Sequence, residues 1–139
     1  MSTALCIIAH APLASALKEC VKHIFSSVGE DIESRILAYD IPATQDTQQW
    51  IERIRLDLEE VMRRYDGALI FTDILGATPS NIAHRMLDMP DCAVMTGVNL
   101  AALISAVGDD GDLCRELVLC EGAAHGSISS LTSRPGGAI

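Results

Sequence analysis

The chain has 139 residues, is 49% hydrophobic and carries a formal net charge of −9. This suits one compact domain with a substantial core and excludes a disordered chain. The acidity argues against nucleic acid and anionic lipid as partners, and no apolar run nears the roughly 20 residues that cross a bilayer.

Met1 leads almost directly into strand-like sequence, with no basic and apolar leader, so the expected location is the cytoplasm. "TALCIIA" (Thr3 to Ala9) is short, apolar and nearly unbroken, as expected of a strand covered on both faces of a parallel sheet. His10 follows it. From Pro12, which suits a first helical turn, the period changes, and Leu13, Leu17, Cys20, Val21 and Ile24 fall at helical steps, with His23 off the stripe and exposed. "SRILAYD" (Ser34 to Asp40) predicts a second strand. "IPAT" is a loop, with Thr44 as N-cap of the longest helix, Gln45 to Tyr65, whose buried stripe is Trp50, Ile54, Leu58, Val61 and Met62. The arginines of "RIRLDLEEVMRR" alternate with carboxylates, which makes that face solvated and salt-bridged rather than a basic patch.

"GALIFTD" (Gly67 to Asp73) reads as a third strand. "ILGATPSN" is a loop, with Thr78 and Pro79 as N-cap and first position of a helix to about Leu87. "CAVMTG" (Cys92 to Gly97) is a fourth strand and "VNLAALISAV" a further helix, broken by "DDGD"; Leu113 to Gly122 is helical again. In the closing stretch "SISSL" is readable either as a short antiparallel edge strand or as irregular chain, with a flexible tail from about residue 132. The five cysteines include no C-x-x-C pair and read as reduced, mostly buried thiols. The spacing of Cys114, Cys120 and His125 matches no common zinc pattern, so neither metal nor cofactor is expected.

Strand and helix alternate four times. The expected fold is α/β: one doubly wound domain over residues 1–139, with a mainly parallel four-stranded sheet, helices on both faces and room for an antiparallel C-terminal edge strand. In such a sheet ligands meet the carboxyl ends of the strands where strand order reverses. His10, Asp40, Asp73, Thr96 and Asn99 all fall at those ends. If the first and third strands are neighbours, His10 and Asp73 share one crevice. Taken singly, such a histidine is more often a surface or cap residue and such an aspartate a turn former. As a pair they form a device in which the carboxylate fixes the ring's tautomer and leaves the other nitrogen free to attack. No serine stands in a G-x-S-x-G elbow to serve as nucleophile instead. The loop 73–81 could offer N–H groups, a hydroxyl and a helix start to an arriving phosphoryl group, although Thr78 taken by itself has a purely structural job as N-cap.

Three segments carry a family resemblance. "IIAHAPLASAL", "GALIFTDILGATPSNIAHRM" and "VMTGVNLAALISAV" resemble, in order and spacing, the strand–histidine–helix opening, the D-x-x-G-G-[ST]-P-x-N loop and the G-V-N-[LI] helix start of the mannose-family IIA component of the bacterial sugar phosphotransferase system, over about Ala4 to Leu119. The resemblance implies a cytoplasmic phosphotransferase component that works through a phosphohistidine. His10 would accept phosphate on Nε2 from the histidine-containing phosphocarrier protein and pass it to a IIB component. Asp73 would orient the ring through Nδ1, and Thr78 and Gly76 would lie at the phosphoryl group. It also implies a homodimer, in which a C-terminal strand can exchange between subunits. The chain departs from the pattern at Ala11-Pro12, where glycine commonly follows the histidine, and at Ala77, where the loop's second glycine stands. Partner and sugar stay open. A stand-alone regulatory phosphoprotein and the phosphodonor subunit of a dihydroxyacetone kinase are the alternatives. A receiver domain would need carboxylates near residues 8 to 11, where His10 stands alone, and a plain binding module would show no phosphoryl chemistry at all.

Overall fold

The computed structural model describes residues 3–28, 31–43, 46–109 and 111–133. Four strands, β1 (Thr3–His10), β2 (Ile36–Ile41), β3 (Gly67–Thr72) and β4 (Cys92–Met95), form one sheet in the order β2-β1-β3-β4. Every pairing is parallel, with Leu5 opposite Ile36 and Leu69, and Ala68 opposite Cys92. The almost unbroken apolar runs of β1 and β3 follow from this placement, since central strands of a parallel sheet are covered on both faces.

The alternation along β1 sorts its side chains. Ala4, Cys6 and Ile8 pack with Tyr39, Ile54, Leu58 and Ile82 under α3 (Thr47–Val61) and α4 (Thr78–His84), which a short 3₁₀ turn (Arg85–Asp88) extends. Leu5, Ile7 and Ala9 pack with Val21, Phe71, Leu103 and Cys120 under α1 (Leu13–Ile24), α5 (Leu100–Gly108) and α6 (Leu113–Gly126). The expected α/β, doubly wound, parallel sheet is therefore present. The switch in strand order falls between β1 and β3, because the chain steps from β1 outward to β2 and then returns past β1 to β3.

Several expectations are corrected. Pro12 stands at the N-cap of α1, one residue before the helix, and the face on the sheet is Ala14, Leu17 and Val21, whereas Leu13, Cys20 and Ile24 are exposed. The Ser34–Asp40 strand loses its first two residues to α2 (Ile32–Arg35), a single turn whose N-cap Asp31 accepts from the Ser34 N–H. Helix α3 begins at Thr47 under the carboxylate of Asp46, which accepts from the Gln49 N–H; Thr44 and Gln45 lie outside the described residues. Its buried stripe is Ile51, Ile54, Leu58 and Val61, with Trp50 and Met62 only partly covered. Helix α4 has Ala77 at its N-cap, so Thr78 is its first residue. Strand β4 stops at Met95, and α6 runs on to Gly126. Residues 127–133 add no strand to the sheet, and Ile128 and Leu131 there are exposed. The thiols are all free, but Cys20 and Cys114 are exposed rather than buried.

At the amino end of the sheet, opposite the carboxyl ends of the strands, Arg35 is 7% exposed. Its guanidinium donates to the carbonyls of Thr3, Ala106, Val107 and Asp109 and to Glu116 Oε1 at 3.3 Å. One side chain thus ties the start of β1 to the end of α5 and the start of α6. Several of those acceptors are carbonyls that a helix C-terminus leaves without intrahelical donors.

Candidate functional site

His10 is the last residue of β1 and Asp73 the first residue after β3, so adjacent parallel strands deliver them to one place at the switch point. Asp73 Oδ2 accepts from the His10 backbone N–H at 2.8 Å and meets His10 Nδ1 at 2.7 Å. Its other oxygen, Oδ1, accepts from the Ile74 N–H at 2.8 Å. Since its partner is a carboxylate, which only accepts, Nδ1 carries the ring proton, and the Nε2 lone pair points away from Asp73. Exposure is divided accordingly: the His10 side chain is 52% accessible and that of Asp73 11%. Partial burial pushes the Asp73 carboxyl up. The hydrogen bonds from the His10 N–H, the His10 ring and the Ile74 N–H together outweigh that burial and hold it below the ordinary carboxylate range.

A cleft of about 620 Å³ opens beside His10, walled by Ala11, Ile41, Pro42, Ala43, Thr78 and Pro79. His10 and Thr78 therefore face one space although they are far apart in sequence. Because Ala77 occupies the N-cap, the Thr78 hydroxyl is not consumed as a cap, and it carries no hydrogen bond among the described residues. Gly76 sits in the exposed turn between Asp73 and α4 at φ +89°, a backbone conformation that glycine adopts without cost and that lets the loop reverse; it does not wall the cleft.

The other strand-end residues go elsewhere. Asp40 faces α1, accepting from the Ser15 N–H at 3.0 Å and the Ser15 hydroxyl at 2.5 Å, and so caps from β2 a helix whose own N-cap proline cannot. With the Ala11 N–H bonded to the Ile41 carbonyl at 3.1 Å, this clamps the corner that follows His10. Asn99 is the N-cap of α5 and accepts from the Ala102 N–H. Thr96 lies in a separate groove beside β4 and α6. Two contacts had no side-chain signal in the sequence: the Gly97 N–H donates to the Asp73 carbonyl at 2.7 Å and the Val98 N–H to the Thr72 carbonyl at 3.0 Å. Among the described residues no group of three or more His, Cys, Asp or Glu is placed to hold a metal ion.

Fold and site together define a doubly wound α/β protein that presents an aspartate-oriented imidazole at its switch point. A family model described as "PTS system fructose IIA component" (EIIA-man) matches residues 4–112, and the chain belongs to that family. Similar solved structures include the mannose/sorbose-specific IIA subunit of the phosphotransferase system from Enterococcus faecalis (TM-score 0.78, 18% identity, 97% of this chain and 98% of that one). A PTS IIA protein associated with the fucose utilization operon of Streptococcus pneumoniae superposes at TM-score 0.75 with 19% identity over 92% and 94% of the two chains. A sigma-54 interaction domain protein from Enterococcus faecalis does so at TM-score 0.69 with 15% identity over 90% and 92%. At these identities the likeness is one of fold. No curated protein matches the chain at a significant level. No helix among the described residues is long and apolar enough to cross a membrane.

Proposed function

We propose that the protein is a cytoplasmic phosphoryl carrier of a mannose-type sugar phosphotransferase system, with His10 as the residue that is transiently phosphorylated. The observation that carries this reading is the bond between His10 Nδ1 and Asp73, which leaves Nε2 as the free nucleophile on an accessible ring. Nε2 attacks the phosphorus of the donor, the phosphorylated histidine-containing phosphocarrier protein. The new N–P bond forms as the donor's N–P bond breaks, and the electron pair of that bond returns to the donor's imidazole. The Nδ1 proton stays between His10 and Asp73, and the positive charge developing on the His10 ring lies against the Asp73 carboxylate. The Thr78 hydroxyl, on the wall of the same cleft, is the side-chain donor for the phosphoryl oxygens, and the turn at Gly76 shapes the loop that brings it there. Transfer onward to a IIB component is the same step with His10 as the leaving group. The proposed assembly is a homodimer, which the place of β4 at the edge of the sheet among the described residues and the exposed Ile128 and Leu131 support.

The test is incubation with phosphoenolpyruvate, the first phosphotransferase enzyme and the histidine-containing protein. The intact mass should rise by one acid-labile phosphoryl group in the wild type and not in His10→Ala. Undiminished labelling of His10→Ala overturns the reading. The shared fold with a sigma-54 interaction domain protein supports a second one, in which the phosphorylation state of His10 gates binding to a regulatory target. Capture of partners by the wild type and by His10→Ala separates the two, since recovery of a IIB protein alone counts against regulation.

A further inference from the structure

Asp73 sits where the sheet has already ended. The ladder between β3 and β4 stops at Phe71 opposite Met95, two residues short of it. Beyond Asp73 the residues Ile74, Leu75 and Gly76 are exposed, so this loop has little packing of its own to set where the carboxylate lies. What replaces the ladder is the turn after β4. The Val98 N–H reaches the Thr72 carbonyl, and the Gly97 N–H reaches that of Asp73 at 2.7 Å, the shorter of the two. Asp73 is therefore gripped from both sides, its carboxylate by His10 on the β1 side and its own carbonyl by Gly97 on the β4 side.

Gly97 makes that contact with its backbone at φ +73°, the value that also turns the following Val98 N–H onto Thr72. A Cβ built there meets no atom within 4 Å, so a side chain is opposed by the backbone conformation alone and not by crowding. Residues differ sharply in this respect: asparagine tolerates left-handed backbone, and a β-branched residue does so least.

We propose that Gly97 is a positioning residue for phosphoryl transfer: its left-handed backbone aims its N–H at the Asp73 carbonyl and so sets how the Asp73 carboxylate meets His10 Nδ1. The kinetic side of this rests on the phosphocarrier reading above. The structural side, the tautomer of His10, does not.

The experiment compares full-length wild type, Gly97→Val and Gly97→Asn. Three quantities are read: the His10 tautomer by ¹⁵N NMR of the unphosphorylated protein, the rate of labelling by the phosphorylated histidine-containing protein, and the thermal midpoint. Gly97→Val should shift His10 away from the single Nδ1–H tautomer and slow labelling by about tenfold to a hundredfold, the scale of a displaced reacting group. Gly97→Asn should return both readouts to near wild type while leaving the glycine absent, which a merely bulk-sensitive site would not do. A folded Gly97→Val with the wild-type tautomer and rate overturns the proposal, as does a Gly97→Asn as impaired as Gly97→Val. If Gly97→Val does not fold, Gly97→Ala takes its place and is judged against Gly97→Asn in the same way. If the wild type takes no label at all, the phosphocarrier reading fails, while the tautomer comparison still decides the role of Gly97.

Discussion

One oxygen of Asp73 holds His10 twice, accepting its backbone N–H at 2.8 Å and its ring Nδ1 at 2.7 Å. The backbone contact takes up a donor that the end of the β1–β3 ladder leaves over, and the ring contact sets the tautomer. Strand end and ring orientation are thus one arrangement. Its other oxygen is committed to the Ile74 N–H.

That commitment makes Asp73→Asn a demanding substitution. An amide presents one acceptor and one donor end. If its oxygen faces His10, the NH₂ meets the Ile74 N–H; if its NH₂ faces His10, it opposes the His10 N–H and selects the ring tautomer with Nε2 protonated, which cannot attack. The expected outcome is labelling slowed by about a hundredfold or more, with a stability loss of about 1–3 kcal/mol for the backbone donor left facing a donor. Labelling kinetics and thermal unfolding of the variant check both. Wild-type labelling rates would show that the carboxylate does not orient the ring.

Asp73 also gives stability a pH dependence of fixed sign. Its carboxyl is held below the ordinary value of 3.8 in the folded protein. A depressed carboxyl contributes stability that is present above its unfolded value and is lost as pH falls through its folded value. The share of the unfolding free energy that the Asp73 carboxyl adds to wild type relative to Asp73→Asn should accordingly be present above about pH 4 and shrink once the pH drops below it. A difference that grows on acidification would contradict the assignment. Denaturant titrations over this range measure it.

Thr78 separates a structural from a functional role. Because Ala77 and not Thr78 is the N-cap of α4, Thr78→Ala removes no cap and should leave stability within about 0.5 kcal/mol. Removing a hydroxyl that meets the phosphoryl group should slow labelling by about tenfold or more, and Thr78→Ser should keep most of the rate. A loss of about 1 kcal/mol with unchanged labelling would instead mark Thr78 as the cap the sequence suggested.

Arg35 reverses that pattern. Its guanidinium is buried against Glu116 Oε1 and four backbone carbonyls at the amino end of the sheet, the end opposite His10. Arg35→Met should destabilise the protein by about 3–5 kcal/mol, because Glu116 loses its cation in a buried setting. Adding Glu116→Leu should recover a good part of that loss. The labelling rate of the folded fraction should not change. Denaturant midpoints together with labelling of folded material check this, and a rate that falls with stability would show unexpected coupling between the two ends of the sheet.

The alternation of strands and helices was legible because apolar runs of parallel strands are short, dense and separated by helical periodicity. The pairing of His10 with Asp73 was legible once the strand order was guessed. What the pattern missed has physical causes. Ala14 is silent in a hydropathy stripe, so the apolar steps of α1 predict Leu17 and Val21 correctly but add Leu13, Cys20 and Ile24 where the covered face turns onto Ala14. Thr78 precedes a proline and looks like a cap, yet the cap is the position whose backbone is extended, and that is Ala77. Ile128 and Leu131 favour a strand locally, but Leu131 forms only a single isolated bridge, and residues 127–133 add no strand to this sheet. Gly97 acts through its N–H alone, which no side-chain motif reports.

The central claim is most directly tested by locating the phosphoryl group on a nitrogen. The protein, labelled with ¹⁵N in its histidines, is phosphorylated through the histidine-containing protein and examined by ¹⁵N and ³¹P NMR. The arrangement of His10 and Asp73 requires a single phosphohistidine, at His10, with phosphorus bonded to Nε2 and the proton retained on Nδ1. Phosphorus on Nδ1, or on a histidine other than His10, would contradict it.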